Sequence, residues 1–223
     1  VYFSDRYSIR KVALLSTLTA LGMVNRIDVG LLMLPALAYA IWRVRSIPTA
    51  MAGLLGFLPL AAWELFSIFY YGSAVPNTAL AKLNAGLIPA SDLHRAGLSY
   101  LLNSLRVDPT TLTIIAAGVL LSIVSRELRR GALALGVVLY VAYVVQVGGD
   151  FMSGRFLTAP FFLSVASLAR VPEWSPRVPT WLTGTVIAIM SITLGLIAPY
   201  SPIRSWGGER ADADPRVWVQ GRG

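Results

Sequence analysis

Residues 131–168 read GALALGVVLYVAYVVQVGGDFMSGRFLTAPFFLSVASL. Two apolar runs free of charge flank the segment Gly149-Asp150-Phe151-Met152-Ser153-Gly154-Arg155, which holds one acid and one base. The runs have the length and composition of membrane-crossing or membrane-buried helices. Ionisable groups near hydrocarbon cost free energy unless they are paired or wet. The stretch therefore predicts two helices joined by a polar, glycine-rich loop (Gly148, Gly149, Gly154) at one membrane face. This pattern sets the fold class as all-α, a polytopic transmembrane helix bundle.

The rest of the chain agrees. Of its 223 residues, 56% are hydrophobic and only 13% charged, whereas a soluble domain carries about a quarter charged residues. Cysteine is absent and His94 is the only histidine, which excludes a disulfide framework and Cys- or His-rich metal centres. The net charge of +8 would suit nucleic acid, but the bases fall in short clusters between apolar runs. That distribution fits membrane topology instead, and no nucleic-acid partner is expected.

Working outward, Val12–Val24 and Val29–Trp42 are apolar runs of 13 and 14 residues divided by Asn25-Arg26-Ile27-Asp28. Each spans roughly 20 Å as helix, too short to cross a bilayer alone. They are expected as a pair of short helices meeting at a polar turn inside a bundle. Thr49–Tyr71 reads as a full-length span containing Pro59 and Glu64. Residues 72–108 read as an outer loop with interfacial helices: Pro76 opens one, with Leu80, Leu83 and Leu87 on one face, and Ser91 caps another. In that second helix Leu93, Tyr100, Leu101 and Leu105 form the expected apolar stripe. Leu112–Ser125, Gly131–Val147, Phe156–Leu168 and Thr180–Ala198 read as further passes, with a proline-bearing connector at Arg170–Pro179. Residues 1–198 thus form the bundle, and 199–223 begin an outer C-terminal region.

Charge sets the orientation. The proposed inner segments hold Arg6, Arg10, Lys11, Arg43, Arg45, Arg126, Arg129, Arg130, Arg170 and Arg177 against Asp5, Glu127 and Glu173, the bias expected of cytoplasmic loops. The expected location is the plasma (inner) membrane, multi-pass, with the functional face outward. On that face the order of passes gathers Asn25–Asp28, Tyr70–Lys82 and Gly148–Arg155. Carboxylates mixed with bases suit a reaction in which a phosphate leaves and a hydroxyl attacks, because bases neutralise phosphate and a carboxylate accepts the hydroxyl proton.

The candidate substrate-binding residues are Arg26, Asp28, Tyr71, Asn77, Lys82, Asp150 and Arg155, with Glu64 as support. All but Asn77 have a plainer reading. Arg26 and Asp28 can pair with neighbours and hold the turn. Asp150 and Arg155 can form a loop-stabilising ion pair. Glu64 can be a protonated core acid, Lys82 can snorkel to the interface, and Tyr71 can be an aromatic-belt anchor.

Phe69-Tyr70-Tyr71-Gly72-Ser73-Ala74-Val75-Pro76-Asn77-Thr78-Ala79-Leu80-Ala81-Lys82 resembles a segment of bacterial polytopic glycosyltransferases of the GT-C superfamily. Gly148-Gly149-Asp150-Phe151-Met152-Ser153-Gly154-Arg155-Phe156 resembles a second segment of that group. Within that group the segments resemble those of mycobacterial terminal β-1,2-arabinofuranosyltransferases and of related flagellar motor control proteins. Asn25-Arg26-Ile27-Asp28 is similar to their Arg-Pro-Asp turn, with Ile27 in place of proline, and Gly207-Gly208-Glu209-Arg210 is similar to an Asp-Glu-Arg element, with Gly208 in place of its acid.

The resemblance implies a GT-C-type glycosyltransferase, of which this chain is a middle-to-late fragment. It implies transfer of a sugar, arabinofuranose in the mycobacterial relatives, from a polyprenyl-phosphate donor to a cell-wall polysaccharide acceptor. It places the main catalytic aspartate on a loop upstream of this chain, so the fragment alone is expected to be inactive. It assigns no cofactor with certainty and leaves a divalent metal open. The competing reading is a non-enzymatic membrane transporter or an assembly or scaffold subunit. A transporter would carry repeat symmetry and helices broken at the midplane, and no repeat is evident in the sequence.

The basic clusters generate a direct test of topology. Single cysteines at Ser73, Ser153 and Ser205 should react with an impermeant thiol reagent in intact cells, and cysteines at Ser46 and Ser175 only after permeabilisation. Labelling of the Ser153 position only after permeabilisation would overturn the shared-face expectation.

Overall fold

The computed structural model describes residues 2, 7–73, 89–150 and 154–169, together with 181, 185, 188, 189 and 192. The described residues are helical throughout, without strands, and form a membrane helix bundle. Two helical stretches among them are long and apolar enough to cross a membrane, Ile47–Tyr71 and Leu128–Gln146, and a bent pair, Ala90–Val107 with Pro109–Val124, can supply a third crossing. The contact pattern divides the chain into one unit of Val1–Pro89 with Ser122–Tyr143, and another of Ala90–Leu121 with Val144–Gly223.

The first unit is built on a helical hairpin, α1 (Ile9–Asn25) and α2 (Val29–Val44). Ser8 caps α1 by accepting from the Lys11 amide. Inside α1, Thr17 and Thr19 donate their hydroxyls back to the carbonyls of Ala13 and Leu15 at 3.0 and 2.8 Å. Back-bonding of this kind lets a hydroxyl sit in an apolar helix without an unmet donor. The expected division at Asn25–Asp28 is present, with Arg26 extended and its amide bonded to the Gly22 carbonyl at 2.9 Å.

The span expected over Thr49–Tyr71 is interrupted. It comprises α3 (Ile47–Leu55) and α4 (Leu58–Tyr71), with a break at Gly56 and Phe57. Two causes coincide there. Pro59 lacks an amide hydrogen and its ring crowds the carbonyl four residues back, which is that of Leu55. Gly56 lies so close to α1 that a Cβ would collide with the Ser16 side chain and crowd the Ala13 carbonyl. Helix α4 ends at left-handed Gly72 (φ 71°), whose amide returns to the Ile68 carbonyl. None of its residues is buried, and Trp63, Phe66, Tyr70 and Tyr71 form a connected aromatic cluster along it. An exposed apolar helix of this length suits lipid contact.

The second unit contains α5 (Ala90–Val107) and most of α6 (Pro109–Val124). Their axes differ by 109°. Pro109 opens α6, Thr111 donates its hydroxyl to the Asp108 carboxylate at 2.5 Å, and the Asp108 amide bonds the Ser104 carbonyl at 2.7 Å. The bend is thus a capped junction between two helices. Helix α5 begins at Ala90, so Ser91 lies within its first turn rather than capping it. Its buried face is Gly97, Tyr100 and Ser104, whereas Leu98, Leu102 and Leu105 are exposed. Of the expected stripe, Tyr100 is buried, Leu93 and Leu101 are half-buried and Leu105 is exposed. Gly97 decides the difference, because its missing side chain lets the helix backbone sit against the backbone of Val145.

Helix α7 (Leu128–Gln146) contributes Leu128–Tyr143 to the first unit and its last turn to the second. It ends in a Schellman arrangement, with the Gly148 amide on the Val145 carbonyl and the Gly149 amide on the Val144 carbonyl. A 3₁₀ turn (Arg155–Leu157) then leads into α8 (Thr158–Leu168). The readings of residues 74–88, 151–153, 170–180 and 193–223, and most of the pass expected over Thr180–Ala198, lie outside the described residues.

Gly136 and Gly131 make a matched pair on α7. A Cβ at Gly136 would strike the Leu32 carbonyl of α2, whereas one at Gly131 meets nothing within 4 Å. Gly136→Ala should destabilise the purified protein by about 1–3 kcal/mol. Gly131→Ala should be neutral or stabilising by up to about 1 kcal/mol. Thermal unfolding in one detergent checks both, and equal melting points for the two variants would contradict the close packing.

Candidate functional site

Two polar constellations stand out, one in each unit. The first closes the α1–α2 hairpin. Arg26 Nε donates to Asp28 Oδ1 at 3.1 Å and its Nη2 to Oδ2 at 2.5 Å. The same Nη2 donates to the Tyr140 hydroxyl at 2.9 Å, and that hydroxyl donates to Asp28 Oδ2 at 2.9 Å. Three side chains thus form a closed ring of charge-assisted hydrogen bonds. Tyr140 is fully buried, and the Asp28 side chain is 7% exposed against 28% for Arg26. Hydrogen bonding to Asp28 pushes the Arg26 pKa above its ordinary value, so the guanidinium stays charged.

Residues two apart on a helix do not face each other, and here they need not. Arg26 has left α1 in an extended conformation, and Asp28 begins the next helix. Asp28 stands in the capping position of α2 but makes no side-chain cap, because its oxygens are engaged by Arg26 and Tyr140. Tyr140 was hidden in the sequence inside an uncharged apolar run. The usable signal was its hydroxyl, since a tyrosine buried in such a span needs a polar partner.

The second constellation is the loop after α7. Gly148, Gly149 and Gly154 all have positive φ, at 80°, 73° and 76°, a region open to glycine at little cost. Gly149 is doubly constrained, because a Cβ there would overlap the Tyr100 side chain. Tyr100 also accepts the Phe156 amide on its hydroxyl at 3.1 Å, and its ring meets that of Phe156 edge-on at 6.5 Å. One buried tyrosine of α5 therefore holds both ends of the loop. The sequence assigned Tyr100 to an interfacial stripe and gave no sign of this role.

Within that loop the Asp150 carboxylate lies 3.5 Å from Arg155 Nη1. Their exposures differ sharply, 5% for the Asp150 side chain and 57% for Arg155. A buried carboxylate beside an exposed guanidinium orients the base.

Of the other candidates, Glu64 is half-buried on α4 and has no partner among the described residues. Tyr71 is the last residue of α4, 62% exposed, with its ring 4.8 Å from that of Tyr70. Asn77 and Lys82 lie outside the described residues. The structure thus pairs Arg26 with Asp28 and Asp150 with Arg155. Among the described residues no group of three or more acids and histidines could hold a metal ion.

No protein-family model matches the chain, and no solved structure matches it. Two curated relatives do. The chain is 32% identical over 193 residues to a terminal β-(1→2)-arabinofuranosyltransferase of Mycobacterium tuberculosis, covering 74% of this chain and 30% of that protein. It is 28% identical over 174 residues to the protein of the same name from Corynebacterium glutamicum, covering 66% of this chain and 25% of that protein. The chain thus spans under a third of the length of these relatives. Both carry the arabinofuranosyltransferase name, in line with the resemblance of the motifs, and neither lends support to a flagellar link.

The closed ring makes a graded prediction. Asp28→Asn should cost about 3 kcal/mol of stability, because it strands a partly buried guanidinium. Tyr140→Phe should cost about 2 kcal/mol, because it removes both the hydrogen bond received from Arg26 and the one donated to Asp28. In a double-mutant cycle read by thermal unfolding, the two losses should be strongly non-additive. Simple additivity would contradict a shared network.

Proposed function

We propose that the chain is part of a membrane glycosyltransferase of the GT-C type. In this reading it helps transfer arabinofuranose from a polyprenyl-phosphate donor to a cell-wall glycan on the outer side of the plasma membrane. The observation that carries the proposal is the 32% identity to a terminal β-(1→2)-arabinofuranosyltransferase over 74% of the chain. The glycine-rich loop with its buried Asp150 and exposed Arg155 supplies chemistry that such a reaction uses.

In the reaction the bond between the sugar's anomeric carbon and the phosphate oxygen breaks, and negative charge accumulates on the departing lipid phosphate. Arg155 offers two parallel N–H groups to two phosphate oxygens, a contact that strengthens as the charge grows. Asp150 holds the Arg155 guanidinium in place, and Tyr100 keeps the loop in register. The acceptor hydroxyl must lose a proton to a carboxylate. Asp28 is poorly suited to that task, because Arg26 and Tyr140 occupy its oxygens. Glu64 or an acid outside this chain is better suited chemically, because Asp150 is itself engaged by Arg155. Arg26 and Asp28 act in this account as the tie that shapes the hairpin, and Tyr71, Asn77 and Lys82 as further donor contacts.

A transporter or scaffold gains no support from the two relatives, both of which bear an enzyme name.

Arg155 carries the test. In the full-length protein, Arg155→Ala should weaken donor binding and lower transfer by about 10- to 150-fold, equivalent to about 1.5–3 kcal/mol for a charge-assisted contact. Arg155→Lys should rescue in part, because lysine lacks the planar fork. Binding of a polyprenyl-phosphate donor and transfer at fixed protein level are the measurements. Unchanged values in Arg155→Ala would rule out the phosphate role.

A further inference from the structure

The first unit holds an aromatic and basic cluster that the proposed reaction does not use. Tyr2, Tyr7, Tyr39 and Trp42 form a continuous set of ring contacts with centroids 6.0–6.4 Å apart. Arginines border it. The Arg45 guanidinium lies 4.8 Å from the centre of the Trp42 ring. The Tyr2 hydroxyl donates to the Arg129 carbonyl at 2.6 Å. Burial pushes the Tyr7 hydroxyl up to about 12, and both Arg129 and Arg43 are near enough to pull it back. Tyr7 therefore keeps its proton at neutral pH and donates it to the Tyr2 carbonyl at 2.8 Å.

Three features of this cluster point to an anion. Arg43 and Arg45 are exposed, and neither forms an ion pair among the described residues. The neighbouring acid, Glu127, is already engaged by Arg130 at 3.0 Å and Arg129 at 3.9 Å. Arg45 also adopts the left-handed conformation at φ 48° at the end of α2, a position where glycine is usual. Strain of this kind persists where the surroundings over-determine it and is concentrated at binding sites. Here it accompanies the placement of a guanidinium over an indole.

The position selects the class of anion. Arg43 and Arg45 stand at the C-terminal end of the apolar helix Val29–Val44, where hydrocarbon gives way to headgroups. Tryptophan and tyrosine favour that depth, and basic residues there attract acidic lipids. We propose that Arg43, Arg45 and the Tyr7–Tyr39–Trp42 surface bind the phosphodiester headgroup of an anionic glycerophospholipid. Arg43 and Arg45 grip the phosphate oxygens, and Trp42 packs against the glycerol backbone.

Native mass spectrometry of the full chain, released from detergent with defined lipids, tests this. Phosphatidylglycerol should be retained at least fivefold over phosphatidylcholine. Arg43→Gln with Arg45→Gln should reduce phosphatidylglycerol retention by about 25-fold, roughly fivefold for each basic residue removed. Arg106→Gln, an exposed arginine in the last turn of α5, should leave retention unchanged. Equal retention of the two lipids, or an undiminished signal in the double variant, overturns the proposal. An equal loss in Arg106→Gln also overturns it, because diffuse charge would then suffice. Displacement of the lipid by millimolar glycerol phosphate would make this a free-phosphate site and overturn the lipid assignment.

Discussion

A carboxylate and a guanidinium in an apolar helical hairpin must satisfy each other or the hairpin fails. The ring of Arg26, Asp28 and Tyr140 meets that constraint in the first unit. It lets the chain reverse between two helices that are each too short to cross a bilayer, and it ties the reversal to α7 by a residue more than a hundred positions away. Close backbone approach at Gly136 and Leu32 reinforces the same α2–α7 contact. Small residues at helix crossings are the usual means of association where lipid removes the hydrophobic driving force between helices.

The second unit solves a different problem, the fixing of a polar loop at the end of an apolar helix. Glycine supplies the backbone conformations, and Tyr100 supplies the rigidity through packing at Gly149 and a hydrogen bond to the Phe156 amide. The result is a buried acid that orients an exposed base. Such a device costs little in a static fold and becomes useful when a phosphate with growing charge must be held.

Much of this was legible in the sequence, and the reasons are physical. Uncharged runs bounded by basic clusters gave the helices, since hydrocarbon tolerates few other patterns. The division at Asn25–Asp28 was legible because polar residues interrupt an otherwise continuous apolar stretch. The break at Gly56 and Phe57 was less so: Pro59 was visible, but the approach of Gly56 to Ser16 is a tertiary fact. Tyr140 and Tyr100 carry no one-dimensional signature, because their partners lie at 112 and 56 positions' separation. The pairing of Asp150 with Arg155 was expected as the plainer of two readings, and the structure shows that pair with the acid buried and the base exposed.

The central claim is sugar transfer from a lipid phosphate, and its most direct measurement is the reaction itself. Membranes containing the full-length protein would be given labelled polyprenyl-phosphate arabinofuranose and an arabinan oligosaccharide, and the product's linkage determined. The account predicts a labelled, chain-extended oligosaccharide that is absent from membranes without the protein. No extension under conditions where a known transferase is active would contradict it, as would transfer from a soluble nucleotide sugar in place of the lipid carrier.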